Sequence, residues 1–285
     1  MNFGIIIIII IIRLFREGDL MMDNIVNKLT PEYLKDVLVR LAHHSSALEG
    51  NTITLPETAT IILEQTLPSN SKITRREYFE VLNHEQAFEY VIENIQDKEA
   101  LSIPVIKDIH EKLTDRLQYD KGQFKTSTNY IKGAEFPTTP PEQVSLLMEQ
   151  LVGNLNFKID HAVVDKEVIK AVLEAHITFE KIHPFSDGNG RTGRMMMNYS
   201  LIENGLPPLI IKKEDRGLYS NILHEAQVKE FPSDRDVEAF YKFAIPIMKE
   251  EEKRIDSFYN QEKNQILDSN GFEKKSKDKN NEFER

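Results

Sequence analysis

Cysteine is absent from all 285 residues, which excludes structural disulfides, thiol catalysis and cysteine-type zinc sites. Positive charge is scarce too: 36 Lys and Arg against 46 Asp and Glu leave a formal net charge of −10. General affinity for nucleic acid or for an anionic membrane surface is therefore not expected. No apolar run approaches the roughly 20 residues of a spanning helix. The run Ile5–Ile12 is eight isoleucines followed by Arg13 and Arg16, and it lacks the positive start and small-residue cleavage site of a signal peptide. We read residues 1–22 as an unusual sticky extension, with a weak interfacial anchor as the second reading. Several phosphate-handling and metal signatures are missing as well: the chain has no Gly-Lys pair for a phosphate loop and no His-Glu-x-x-His. With no thiols, leader or span to place it elsewhere, a cytoplasmic protein is expected.

What is present is helical periodicity. Hydrophobic residues make up 40% of the chain and charged residues 29%, enough for one packed core with a soluble surface. Thr30 and Pro31 make a good N-cap and first helical residue, and Leu34, Val37, Leu38 and Leu41 then repeat at one-face spacing up to a stop at Gly50. Further helices are predicted over Pro56–Leu67, Arg75–Ile95, Pro104–Leu117, Glu142–Leu155, Lys166–Ile182, Arg191–Glu203, Glu214–Lys229 and Asp234–Lys253. Residues 119–141 break the rhythm with Gly122, Gly133, Pro137, Pro140 and Pro141, and short segments around Tyr130 and Phe136 are expected to pair as a hairpin. Beyond Asp268 the chain is polar with few apolar anchors, so a disordered tail is expected over 266–285. The division this gives is an extension at 1–22, a helical region at 23–100, a core domain at 101–265 and the tail.

The stretch from His183 to Arg194 carries the chemistry. Gly188-Asn189-Gly190 adopts positive φ at little cost and turns successive N–H groups toward one point. Arg191 then opens a helix whose first turn adds unpaired N–H groups and the positive end of its dipole. Arg191 and Arg194 are three residues apart and share a face, so both reach an anion held there. Asp187 at the lip would repel a polyphosphate unless a cation bridged them, which implies Mg²⁺. His183 is the nearby group suited to removing a proton near neutrality. One histidine, one carboxylate, an N–H cradle and two arginines suit phosphoryl or nucleotidyl transfer to a hydroxyl. The bland alternative, a capped helix after a glycine turn with a core histidine, does not account for all of these residues in register.

His183-Pro184-Phe185-x-Asp187-Gly188-Asn189-Gly190-Arg191-x-x-Arg194 resembles the full signature of the Fic family of protein adenylyltransferases. The resemblance implies an all-α, Fic-like helical bundle with one short β-hairpin flap. It implies that His183 deprotonates a Ser, Thr or Tyr hydroxyl of a target protein. Asp187 would hold Mg²⁺, Gly188, Asn189, Gly190 and Arg191 would cradle the α and β phosphates of ATP, and Arg194 would bind the γ phosphate. Gly122-Gln123-Phe124-Lys125 with Tyr130, Ile131 and Phe136 resembles the target-docking flap, although the family usually has arginine where Lys125 stands. Tyr219 falls where relatives carry an adenine-side tyrosine, but Gln227 departs from a common asparagine; ordinary core filling is the competing reading of Tyr219.

Ser45-Ser46-Ala47-Leu48-Glu49-Gly50 resembles the family's inhibitory motif, in the arrangement where the inhibitory helix precedes the core. Thr60–Glu64, Thr138–Glu142 and Ser145–Glu149 share its spacing but are followed by glutamine. Glu49 would pair with Arg194 and compete with the γ phosphate, with Ser45 orienting the helix end. The leading expectation is an autoinhibited adenylyltransferase. Within the family the reverse reaction, or both directions, stays open; outside it, a non-catalytic nucleotide-binding module does. UMP or phosphocholine as the transferred group, self-modification and a homo-oligomer also stay open.

Overall fold

Residues 25–68, 72–131 and 136–282 are described by the computed structural model, with side chains described as far as residue 267. Ile5–Ile12 lies outside the described residues. Nine α-helices follow one another among them: α1 Pro31–Leu48, α2 Leu55–Glu64, α3 Arg75–Gln96, α4 Ile103–Leu113, α5 Pro141–Asp160, α6 Asp165–Ile182, α7 Asn189–Glu203, α8 Arg216–Gln227 and α9 Asp234–Glu282. None of the described helices is long and apolar enough to cross a membrane.

Local sequence accounts for the boundaries. Thr30 accepts a hydrogen bond from Tyr33 N at 3.2 Å, with Pro31 opening α1. Thr54 with Glu57 and Thr74 with Glu77 close reciprocal capping boxes on α2 and α3, pairing amide groups that a helix start otherwise leaves open. α4 stops at Leu113, short of the expected Leu117. There the Thr114 hydroxyl donates to the His110 carbonyl at 2.6 Å, and Asn83 Nδ2 donates to the Leu113 and Asp115 carbonyls at 3.1 and 2.7 Å.

The centre of the bundle is α7. Met195, Met196, Met197, Tyr199, Leu201 and Ile202 are buried, and so are Asn198 and Ser200 on its other faces. A helix buried all round is packed on every side, and α7 lies against α1, α3, α4 and α6. Asn198 satisfies itself by bonding Arg194 O, Leu209 O and Leu209 N at 2.7–3.2 Å. The consequence for function is geometric: every surrounding helix ends or turns near the start of α7.

Two expectations require correction. No strand occurs among the described residues, so the expected β-hairpin flap is not seen there; residues 132–135 lie outside them. The segment is tied down by side chains instead of a ladder. Lys125 Nζ donates to Asn129 Oδ1 at 2.6 Å and to Thr138 Oγ1 at 3.1 Å, and Thr138 donates to the Asn129 carbonyl at 2.9 Å. Backbone groups engaged by side chains are not offered to a partner strand. The polar carboxyl-terminal stretch continues α9 to Glu282; it has helix-compatible Glu and Lys, and lack of apolar anchors does not by itself stop an established helix from propagating.

Ile109 is fully buried on α4, between α3 and α7. Ile109→Ala should cost about 2–5 kcal/mol, read as a lower urea midpoint with an unchanged m-value.

Candidate active site

The turn between α6 and α7 is locked before any ligand arrives. His183 ends α6 with φ 52°, a left-handed conformation that costs a non-glycine residue of order 1–3 kcal/mol unless its surroundings hold it. They do: His183 N donates to Phe179 O at 2.9 Å, and Asn129 Nδ2 donates to the carbonyls of His183 and Phe185 at 3.2 and 2.6 Å. Asn189 closes the loop on itself, accepting from Phe185 N and donating to Phe185 O, both at 2.8 Å. Phe185 is fully buried and stacks on His110 with centroids 3.7 Å apart. His110 Nδ1 accepts from Gly122 N, so Nε2 carries the proton and donates to Asp187 O, each at 2.9 Å. Gly188 has φ 80°, and a Cβ there would stand 2.7 Å from Thr114 Cγ2.

His183 Nδ1 faces the Glu180 carbonyl at 3.3 Å, a group that only accepts, so the proton sits on Nδ1 and Nε2 keeps its lone pair. Burial pushes the imidazole down to about 4, against the bond to the Glu180 carbonyl, and the Lys125 ammonium lowers it further. The ring is therefore neutral and able to accept a proton at any pH near 7. Lys125 is itself buried among neutral acceptors, and burial brings it to about 8.

At the start of α7 the electrostatics are strongly positive. Arg191 is 2% exposed, and its Nε and Nη1 have no hydrogen-bond partner, an arrangement costly enough to imply an anion or ordered water. Arg194 is buried and fully engaged: Nε donates to Ser45 Oγ at 3.0 Å, and Nη2 donates to Ser45 O at 2.9 Å and to Glu49 Oε1 at 2.7 Å. The Glu49 carboxylate lies against Gly190, where a Cβ would collide with Oε1. Burial raises the Glu49 carboxyl, but Arg194 outweighs it and holds it below the usual range. Protein rings this carboxylate, yet 41% of the Glu49 side chain stays open to solvent.

Asp187 sits at the lip with Oδ1 taking Gly188 N and Oδ2 taking Arg76 Nη2, both at 2.6 Å. Burial pushes its carboxyl up, but Arg76, the Arg191 charge and the Gly188 N–H together hold it below the usual range. The described residues hold no cluster of three or more His, Asp or Glu side chains that could by itself bind a metal. A single half-open carboxylate that already binds a cationic group fits Mg²⁺ of the kind that takes most of its ligands from phosphate and water.

His183, Asp187, Gly188, Asn189, Gly190, Arg191, Arg194, Ser45 and Glu49 thus come together as the sequence predicts. Tyr219 is 4% exposed; its hydroxyl meets His176 Nε2 at 2.7 Å, and the side chain also hydrogen-bonds to Arg194. Tyr130 is 84% exposed, Ile131 half-buried, and the Phe136 ring stands 6.1 Å from that of His224. Sequence reasoning missed Arg76, Glu80, His110, Asn129 and Glu180. Glu180 is a buried acid beneath Arg194, raised to about 8 by burial, and Oε1 has no partner. The Arg76–Glu80 spacing was a signal for a helix-face pair, but nothing local tied it to Asp187.

A buried histidine thus stands beside a cationic helix amino terminus that is closed by a carboxylate from the end of α1, within an all-helical domain. Residues 100–201 match the family model described as Fic/DOC family, and these residues are a domain of that family. A protein adenylyltransferase Fic from Aedes aegypti is 31% identical over 214 residues, which cover 73% of this chain and 40% of that protein. The protein of the same name from Drosophila melanogaster is 31% identical over 210 residues, with the same coverage of 73% and 40%. The chain spans less than half the length of these relatives. Two solved structures share the fold. A Fic domain containing signaling protein from Bacteroides thetaiotaomicron has a TM-score of 0.73 at 22% identity, over 90% of this chain and 98% of that one. Fic-1 from C. elegans has a TM-score of 0.65 at 23% identity, over 91% and 72%.

Nuclear magnetic resonance titration of the His183 imidazole in the free protein should give a midpoint near 4, against about 6.5 for an unperturbed histidine. A midpoint at or above 6.5 would mean that the ring is not desolvated.

Proposed function

We propose that this chain is a magnesium-dependent protein adenylyltransferase, held in check by Glu49. The observation that carries the reading is His183 Nε2, a free lone pair beside the anion-seeking start of α7 with its unpartnered Arg191 nitrogens. The relatives named protein adenylyltransferase support the same chemistry. Their names do not say which protein is modified.

In the forward reaction the hydroxyl of a target Ser, Thr or Tyr gives its proton to His183 Nε2 as its oxygen attacks the α phosphorus of ATP. The new oxygen–phosphorus bond forms while the bond from the α phosphorus to the α–β bridging oxygen breaks, and pyrophosphate leaves. Charge building on the phosphate oxygens is met by the first-turn N–H groups of α7 and by Arg191, while Arg194 takes the γ phosphate. Bound Mg²⁺, held by Asp187 and phosphate oxygens, would neutralise part of that charge. The exposed segment around Tyr130 and Ile131 is the candidate docking surface for the target.

Glu49 opposes this by occupying Arg194. A hydrogen bond to a charged group is worth about 1.5–3 kcal/mol, and the solvent-open side of Glu49 places this one at the low end. That does not exclude millimolar ATP, but it favours a triphosphate pose with the α phosphorus out of line, and poor alignment costs rate steeply. Glu49 against Gly190 also stands where a carboxylate could activate water, which favours removal of AMP as the second reading.

With labelled ATP and mass spectrometry, Glu49→Gly should raise AMP incorporation into itself or a lysate protein by about ten-fold, the lower end of one charged hydrogen bond. Adding His183→Ala should remove that gain by roughly 10²–10⁴-fold while ATP still binds. If neither protein incorporates AMP but Glu49→Gly slows AMP loss from a modified target, the reverse reaction is the right reading. If ATP binds and His183→Ala changes nothing in either direction, the chain is a binding module.

A further inference from the structure

Glu49 is not the only side chain standing where a ligand belongs. On the opposite lip, Arg76 in the first turn of α3 places Nη2 at 2.6 Å from Asp187 Oδ2. Its Nε donates to Glu80 Oε1 at 2.9 Å, so the guanidinium bridges two carboxylates and its direction is fixed. Glu80 is buried, and its other oxygen accepts from Asn51 Nδ2 at 3.0 Å. Asn51 follows Glu49 by two residues and also donates to the Glu77 carbonyl at 3.0 Å. A continuous chain of contacts therefore runs from the segment after Glu49, through Asn51 and Glu80, to Arg76 and Asp187.

Two charges of one sign do not share a carboxylate oxygen in contact: at a few ångströms the repulsion costs more than one exposed ion pair returns. A divalent cation arriving at Asp187 Oδ2 must displace Arg76. The Arg76 side chain is 57% exposed, so it has water to swing into while its Nε keeps Glu80.

We propose that Arg76 is a positioning residue that stands in for the metal on Asp187 and sets the Mg²⁺ concentration at which nucleotide binds. This rests on the reading of Asp187 as the metal ligand given under Proposed function. The site without nucleotide is then closed by two of the chain's own side chains of opposite charge: Glu49 in place of phosphate on Arg194, and Arg76 in place of metal on Asp187. Arg76 also holds the Asp187 carboxylate at the lip when metal is absent, so the ligand does not collapse onto Arg191. Because Asn51 and Glu80 join the two ends, displacing Glu49 loosens Arg76.

The test is calorimetric titration of the full chain with adenosine 5′-(α,β-methylene)triphosphate at rising Mg²⁺, reading the Mg²⁺ concentration that gives half-maximal nucleotide affinity. Arg76→Ala should lower it roughly two- to five-fold, the span of one exposed ion pair. Affinity for the analogue in EDTA should stay unchanged. In an Asp187→Asn background Arg76→Ala should make no difference, which a merely structural role for Arg76 does not predict. A folded Arg76→Ala protein whose Mg²⁺ requirement is unchanged or raised overturns the proposal. If Arg76→Ala does not fold by thermal melt, Arg76→Gln, which retains a donor for Glu80, is read the same way. Binding is measured apart from transfer: a shifted Mg²⁺ requirement with no AMP incorporated by any variant upholds Arg76 and sinks the transferase, and incorporation without a shift does the reverse.

Discussion

A helix amino terminus buried inside a bundle brings unpaired N–H groups and a positive dipole end into a place water reaches poorly. At the start of α7 two arginines deepen that positive field, one of them with orphaned nitrogens. Negative charge has to be supplied, and much of the rest of the structure is arranged around who supplies it. Here the donor is Glu49, carried in at the carboxyl-terminal end of α1 and bonded to Arg194. Under the proposed function a row of phosphates would take its place, and the same residues would serve both binding and restraint.

The scaffold around this point is rigid because its polar groups are paired in redundant ways. Asn189 uses both ends of its amide on Phe185, Asn129 grips the carbonyls on either side of Pro184, and His110 joins Gly122 to Asp187 while stacking on Phe185. Such a network holds the strained His183 backbone in place without help from substrate. Burial does the remaining electrostatic work by keeping the imidazole neutral. The arrangement of His183 and the start of α7 is thus held by the protein's own contacts.

The two lips of the site carry opposite charges. The Glu49 carboxylate meets Arg194 on one side and the Arg76 guanidinium meets Asp187 on the other, and the contacts through Asn51 and Glu80 make them neighbours in one structural unit. α1 and α3, which bring these groups in, pack on α7 through the same core that stabilises the bundle. The proposed regulation would therefore rest on the helices that also complete the fold.

The helices, their caps and the composition of the turn from His183 to Arg194 were legible in the sequence because each is a local matter: apolar spacing, a Thr before a Pro, glycines where N–H groups must converge. Glu49 was legible as well, since a glutamate four residues after a serine and before Gly50 marks a helix end with a carboxylate to spare. The arrangement of the expected hairpin segment was not, because Gly and Pro signal a break in periodicity without saying what will hold the chain there; side-chain bonds among Lys125, Asn129 and Thr138 do so. Tyr219 was singled out by its place in the chain, but its contacts with His176 and Arg194 depend on packing that no local pattern shows. Arg76 and Asp187 are separated by 111 residues, and no local rule brings a guanidinium to a carboxylate across that distance. The sequence by itself determined which groups could do the chemistry; the tertiary structure decided which charges meet, since electrostatic energy depends on separation in space and not on separation along the chain.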